Sequence, residues 1–266
     1  MRTIPLFVAS LCALGQSTIA QAAPSPLTPQ TAEYQVNFGD VELGKAKYQL
    51  PKMEDGIYKY SFDSDLSLLL LTDVRHVVSE FAQEGERLIP MRYLHKREGV
   101  GPNFTEQTAF AQDQGMIFTR YKDEKGKFPF NGDVFDPLMV QLQFRLDISS
   151  GKQPLDFKMI KDNEIDEYQF HVVGKERVTI ESGSYETVKI EVVRDEKKRK
   201  KRQTFFWMAP ELAYLPIRLT HFEKGSKQLD IKLLNYQFDD VPNAANSATA
   251  EGTEKKIPKL LGNSAQ

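Results

Sequence analysis

Gln203 to His221 reads QTFFWMAPELAYLPIRLTH. Aromatic, β-branched and apolar residues flank a centre that holds the chain's only tryptophan, Trp207, together with Pro210 and Pro216. This predicts a strand, a sharp turn and a second strand. Pro216 stands at the start of the second strand, where its missing N–H removes no interior ladder bond. Upstream, Leu88 to Gly99 repeats the pattern: Pro90 to Gly99 and Pro216 to Gly225 both read P-x-R-x-x-H-x-x-x-G without a gap. The strand before each proline is aromatic or β-branched, through Val77, Val78 and Phe81 in one copy and Thr204, Phe205 and Phe206 in the other. A duplicated β unit is the expectation, with halves at about 31–128 and 155–238.

Around these two corners the chain is built of short alternating segments. Turn residues separate them at Gly39-Asp40, Asp55-Gly56, Glu84-Gly85, Gly99 to Asn103, Gln114-Gly115, Lys125-Gly126, Gly183-Ser184 and Gly225-Ser226. That spacing predicts an antiparallel meander. One segment breaks the alternation. Asp136 suits an N-cap and Pro137 the first helical position. Phe135, Leu138, Met139, Leu142 and Leu146 then make one apolar stripe, so an amphipathic helix is expected at about 136–147. The expected fold is mainly β: a large antiparallel open barrel or clam-like sheet over 31–240, its helix covering an open face or end.

The first 22 residues join a positive charge at Arg2, an apolar run and Ala20-Gln21-Ala22, the build of a secretory signal peptide cleaved after Ala22. Export to the periplasm of a Gram-negative bacterium is the resulting expectation. The chain's one cysteine, Cys12, lies inside that segment, so the mature protein would rely on a hydrophobic core rather than disulfides. Loss of Arg2 would leave 34 basic against 37 acidic residues, a formal charge of −3 that gives no reason to expect nucleic acid. A proline-rich lead at 23–30 and a tail at 241–266, poor in apolar residues, are expected to be flexible.

Phe206-Trp207-Met208-Ala209-Pro210-Glu211, Tyr214 to Leu219, the strand Thr187 to Val192 and the segment Asp133 to Arg145 together resemble the bacterial exported proteins grouped as DUF3108, a domain of unknown function. The resemblance spans nearly all of 31–238. A turn of the form W-x-x-P-x-x-x-x-L-P-x-R also recurs in lipoprotein carriers of the LolA and LolB type, which are open β-barrels that hold acyl chains. The resemblance implies fold and compartment. It transfers no catalytic residue.

Chemistry-bearing motifs are sparse. His76, His95, His171 and His221 fall on separate strands without metal-ligand spacing. No serine has a nucleophile elbow, and Asp162, Glu164, Asp166 and Glu167 read as loop charge. No catalytic residue, metal or cofactor is therefore predicted. Two features suggest contact with a partner. The run Leu66 to Leu71 is too apolar for a strand with one wet face, so it is either buried on both faces or lines a cavity or lip that takes an apolar ligand. Leu68, Leu69, Leu70, Leu71, Phe205 and Trp207 are the candidate ligand-binding residues. The run Lys197, Lys198, Arg199, Lys200, Lys201 and Arg202 is a hairpin suited to an anionic membrane surface or lipopolysaccharide phosphates.

Three functional readings follow. The first is a non-enzymatic envelope protein binding a lipid or other amphiphile in a β-sheet cavity. The second is an interaction module of envelope assembly with a filled interior. The third is a hydrolase acting on an envelope polymer. The pattern sets no oligomeric state.

Overall fold

The computed structural model describes residues 24–69 and 71–239. The expected signal peptide, the tail from 241 and Leu70 lie outside the described residues. Fifteen strands form one sheet in the order β8-β7-β6-β5-β4-β3-β2-β1-β15-β14-β13-β12-β11-β10-β9. The strand β1 (Gln30–Phe38) is at its centre, paired to β2 (Val41–Leu50) on one side and to β15 (Ser226–Phe238) on the other. From β2 the chain meanders outward through β3 (Tyr58–Leu68), β4 (Leu71–Glu84), β5 (Arg87–Gly99), β6 (Phe104–Ala111) and β7 (Met116–Tyr121) to the edge strand β8 (Glu124–Pro129). It crosses to the other edge through β9 (Val134–Phe135) and α1 (Pro137–Ser149). It then returns through β10 (Asp156–Lys161), β11 (Glu164–Ile180), β12 (Gly183–Val193), β13 (Arg202–Ala209) and β14 (Leu215–Glu223).

This route explains where the helix sits. A chain that leaves one edge of a rolled sheet and starts again at the other can run along the interior, and α1 does so. The sequence predicts one apolar stripe, yet Val140, Gln143, Phe144, Arg145 and Asp147 are buried as well as Leu138, Met139 and Leu142. A helix enclosed on most sides must satisfy its polar groups internally. Asp136 caps it, its carboxylate accepting from Leu138 N at 2.9 Å and Met139 N at 3.0 Å while Ser79 Oγ of β4 donates to it at 2.6 Å. Gln143 accepts from Leu88 N and donates to Glu86 O. Arg145 donates from Nε to Ala213 O and from a terminal nitrogen to Gln30 Oε1. The helix is thus tied to three separate corners of the sheet, and its apolar side chains pack with Phe81, Tyr93, Phe157 and Ile190.

The two edges meet without a ladder. The β10–β11 turn reaches across: Asp162 N donates to Glu106 Oε1 at 2.6 Å, and Thr119 Oγ1 donates to Asn163 Oδ1 at 2.6 Å. Phe110, Ile117, Phe130, Val134 and Ile160 pack beside this seam. Both edge strands are short and β8 ends in a proline, which limits further strand pairing.

Two local expectations change. The turn expected at Lys125-Gly126 falls earlier, with Lys122 at φ 54, and Gly126 lies inside β8. A Cβ on Gly126 would press on Thr119 Oγ1, so the close approach at the seam requires glycine. The lead expected to be mobile turns back at residues 25–28. Gln30 Nε2 donates to Pro26 O at 2.7 Å and Thr28 O at 3.0 Å, and Leu27 is buried in the core. The aligned residues of the two proline corners differ in environment: His95 is buried, whereas His221 is half-buried and hydrogen-bonded to Thr204 at 2.8 Å.

Candidate functional site

Because the sheet is a meander, alternate turns share an end. The β1–β2, β3–β4, β5–β6, β7–β8, β10–β11, β12–β13 and β14–β15 turns all lie at the same end. That end carries both predicted contact features. The described residues of the leucine run are not buried on both faces: Leu68, Leu69 and Leu71 lie at the tip of the β3–β4 hairpin. Leu68 pairs with Leu71, and Leu68, Leu69 and Leu71 are 39%, 95% and 56% exposed. The pattern concealed this because a hairpin tip of leucines looks the same in sequence as a fully buried strand. Leu69 also has φ 57, a conformation suited to glycine or asparagine and costly for leucine. Phe38 and Val41 of the first turn and Val100 of the β5–β6 turn add exposed apolar surface at the same end.

The basic run is also a hairpin tip, between β12 and β13. Its members behave differently. Arg199 makes a bidentate pair with Glu191, at 3.1 and 2.7 Å, and Arg202 pairs with Glu223 at 3.1 Å. Asp195 accepts from Lys197 N and begins a one-turn 3-10 segment, Glu196–Lys198. Lys197, Lys200 and Lys201 are exposed and form no ion pair among the described residues. The side chain of Lys198 is outside the described atoms. At the base of the hairpin an open groove of about 520 Å³ is lined by Tyr168, Arg194, Arg199, Arg202, Thr204 and His221. Its three arginines each hold a carboxylate, Arg194 through Asp166 at 2.6 Å. The cationic surplus therefore resides in the lysines at the tip.

Phe205 and Trp207 lie elsewhere, on the face of β13 opposite Phe206 and Met208, as strand alternation requires. Trp207 is 7% exposed. Its indole N–H donates to Glu176, and Lys189 and Arg218 stack at 4.9 and 5.4 Å from its ring. Those contacts lock it into the sheet. The structure does not bring Phe205 or Trp207 together with the leucine tip.

Inside the sheet, little open space remains beside α1. A cavity of about 30 Å³ lies among Tyr34, Tyr48, Tyr60, Gln141, Arg145 and Phe206. About 10–15 Å³ of such space holds one water, so its size is that of a small polar head rather than an acyl chain. Sequence reasoning overlooked these residues because Arg145 reads as the solvent side of an amphipathic helix and the tyrosines as ordinary strand aromatics. Their only sequence signal is the alternate placement of Tyr34, Tyr48 and Tyr60 on three neighbouring strands.

The histidines are dispersed. His76 bonds Asp63 at 2.6 Å on the outer face. His95 lies 3.7 Å from Glu106 in the interior, with neither ring nitrogen hydrogen-bonded. Among the described residues no group of three or more potential metal ligands converges. Asp166 and Glu164 of the predicted loop cluster face Arg194.

Fold and site define a class: an open, barrel-like β protein with a helix packed inside and an apolar, basic turn end. The chain belongs to the family described as "Protein of unknown function (DUF3108)", whose model matches residues 33–232. Among solved structures it is similar to a β-barrel-like protein of the domain of unknown function DUF1849 from Brucella abortus, at 13% identity and a TM-score of 0.53, covering 81% of this chain and 99% of that one. Nothing among curated proteins matches the chain.

Proposed function

We propose that this protein is an exported, non-enzymatic envelope protein of the periplasm that works by contact, its turn end resting on an anionic membrane surface. The observation that carries the reading is Leu69: an almost fully exposed leucine held at positive φ, where asparagine or glycine would serve the fold better. An outlier of this kind is a reason to look for function. The same end supplies the lysines of the β12–β13 hairpin. Six strand spacings separate the two tips in the sheet order, about 29 Å along a flat sheet at the usual 4.8 Å. A flat anionic surface can meet both, one by apolar insertion and the other by charge, at about 1 kcal/mol per lysine.

The N-terminal pattern of Met1 to Ala22 supports the compartment. The helix-filled interior favours contact over carriage of an acyl chain in a wide cavity. Co-sedimentation of the mature protein with vesicles tests the reading. Binding is expected to vesicles of phosphatidylcholine with phosphatidylglycerol and to weaken markedly with phosphatidylcholine alone. Leu69→Asn is expected to keep or raise stability while lowering vesicle binding severalfold, and Lys197, Lys200 and Lys201 changed together to Glu should remove the preference for anionic lipid. Equal sedimentation of the wild-type protein with and without anionic vesicles would sink the proposal.

A further inference from the structure

We infer that the cavity beside Arg145 is a binding site for a carboxylate, entered head-first by an amphiphile such as a fatty acid. Arg145 is 2% exposed. Burial lowers its affinity for its proton, yet a guanidinium stays charged in proteins. Buried charges are ordinarily paired, and among the described residues no carboxylate forms an ion pair with it. Its hydrogen bonds go to two neutral acceptors, the Ala213 carbonyl at 3.1 Å and the Gln30 amide oxygen at 3.0 Å. Asp147, two residues along the helix, is bonded instead to Gln143 and Lys152. Joining α1 to Ala213 and Gln30 needs donors but not a positive charge. The charge is thus in excess of what the architecture uses.

The surroundings complete a site. Tyr34, Tyr48 and Tyr60 stand on the three neighbouring strands β1, β2 and β3 and line the cavity with Arg145. Tyr34 spends its hydroxyl on Pro216 O at 2.9 Å. Tyr60, buried and lining the same cavity, forms no hydrogen bond with a described residue, so its hydroxyl is left as a donor in the wall that also holds the cation. All three phenols are held neutral by burial, which leaves Arg145 as the charge of the pocket. The volume of about 30 Å³ fits a carboxylate head of about three heavy atoms. A carboxylate accepts two parallel bonds from a guanidinium, the geometry for which arginine is suited. The partly exposed Tyr48, Gln141, Phe170 and Phe206 also line the cavity, and the rings of Tyr48, Phe170 and Phe206 suit the first methylenes of a tail. The inference is independent of membrane docking, which uses other residues at the turn end.

Calorimetric titration of the mature protein with decanoate, acetate, inorganic phosphate and decanol tests it, with thermal unfolding of each variant as the control for folding. Decanoate is expected to bind, acetate more weakly at the same site, and decanol at least tenfold more weakly than decanoate. Arg145→Met, which nearly keeps the side-chain volume and removes the charge, should lose at least tenfold in decanoate affinity, and the lost bonds to Ala213 and Gln30 are expected to lower its unfolding temperature without unfolding it at the temperature of titration. Tyr60→Phe removes only the unpartnered hydroxyl and should weaken decanoate severalfold, so the inference can be tested even if Arg145→Met does not fold. No decanoate binding by the wild-type protein, equal binding of decanol, tighter binding of phosphate than of decanoate, or unchanged decanoate affinity in Tyr60→Phe would each overturn it. Vesicle binding by Arg145→Met is expected to equal that of the wild-type protein, which separates failure here from failure of the docking reading.

Discussion

At the residue scale, the most constrained ionisable group is Asp136. Its carboxylate caps α1, accepts from Ser79 and is fully enclosed, and burial pushes its pKa up to about 7 from an ordinary 3.8. The folded chain therefore holds this proton more tightly than the unfolded chain does. Between about pH 4 and 7 the native state binds more protons, so this group makes stability fall as pH rises through that window and level off above it. Asp73 acts in the opposite sense at lower pH. Its bonds to Arg75 and Arg97 lower its pKa to about 2, so the stability it contributes is present above its ordinary range and is lost as pH falls toward 2. Asn is also a good N-cap, so Asp136→Asn should keep the helix start and flatten the slope between pH 4.5 and 7. Urea midpoints at pH 4.5, 6 and 7.5 measure this. An unchanged slope in the variant would exclude Asp136 as its source.

At the element scale, α1 shows what the residues reveal and what they conceal. Asp136-Pro137 and the three- and four-residue spacing from Leu138 to Leu146 make the helix legible, because capping and periodicity are local. Its enclosure is not local. Gln143, Arg145 and Asp147 look like a wet face until Leu88 of β5 and Ala213 of the β13–β14 turn arrive from far along the chain and Lys152 folds back from the loop after α1. The meander was equally readable from its turns, while β8 and β9 were not, since a lysine-glycine pair reads as a turn even when its glycine serves a close approach inside a strand. The leucine run failed for a related reason: composition registers apolarity, and only the partner strands say whether it is inside. The helix's structural weight is open to measurement. Leu142 is wholly buried, so Leu142→Ala should cost about 2–5 kcal/mol in chemical unfolding. Gln141→Ala, at a half-buried position, should cost far less, and similar losses for both would mean that α1 is not packed as an internal element.

At the scale of the whole molecule, the first described strand, β1, lies at the centre of the sheet beside the last, β15, and the two pair over nearly their full length. The centre is thus held by ladders on both sides, while the two outer edges meet through bonds that each involve a side chain rather than through a ladder. The seam depends on Thr119, Asn163, Glu106 and the backbone of Asp162, together with the absence of a side chain at Gly126. Gly126→Ala forces Thr119 and the Phe128 ring to move, loses the Thr119–Asn163 hydrogen bond worth about 0.5–1.5 kcal/mol and adds the strain of overpacking. The consequence should be uneven. Amide exchange is expected to quicken in β6, β7, β8 and the β10–β11 turn, while β1 and β15 keep their protection, because local opening follows the weakest contacts rather than the whole fold. A uniform rise in exchange across all strands would instead mean that the sheet opens as one unit and that the seam contributes to global rather than local stability.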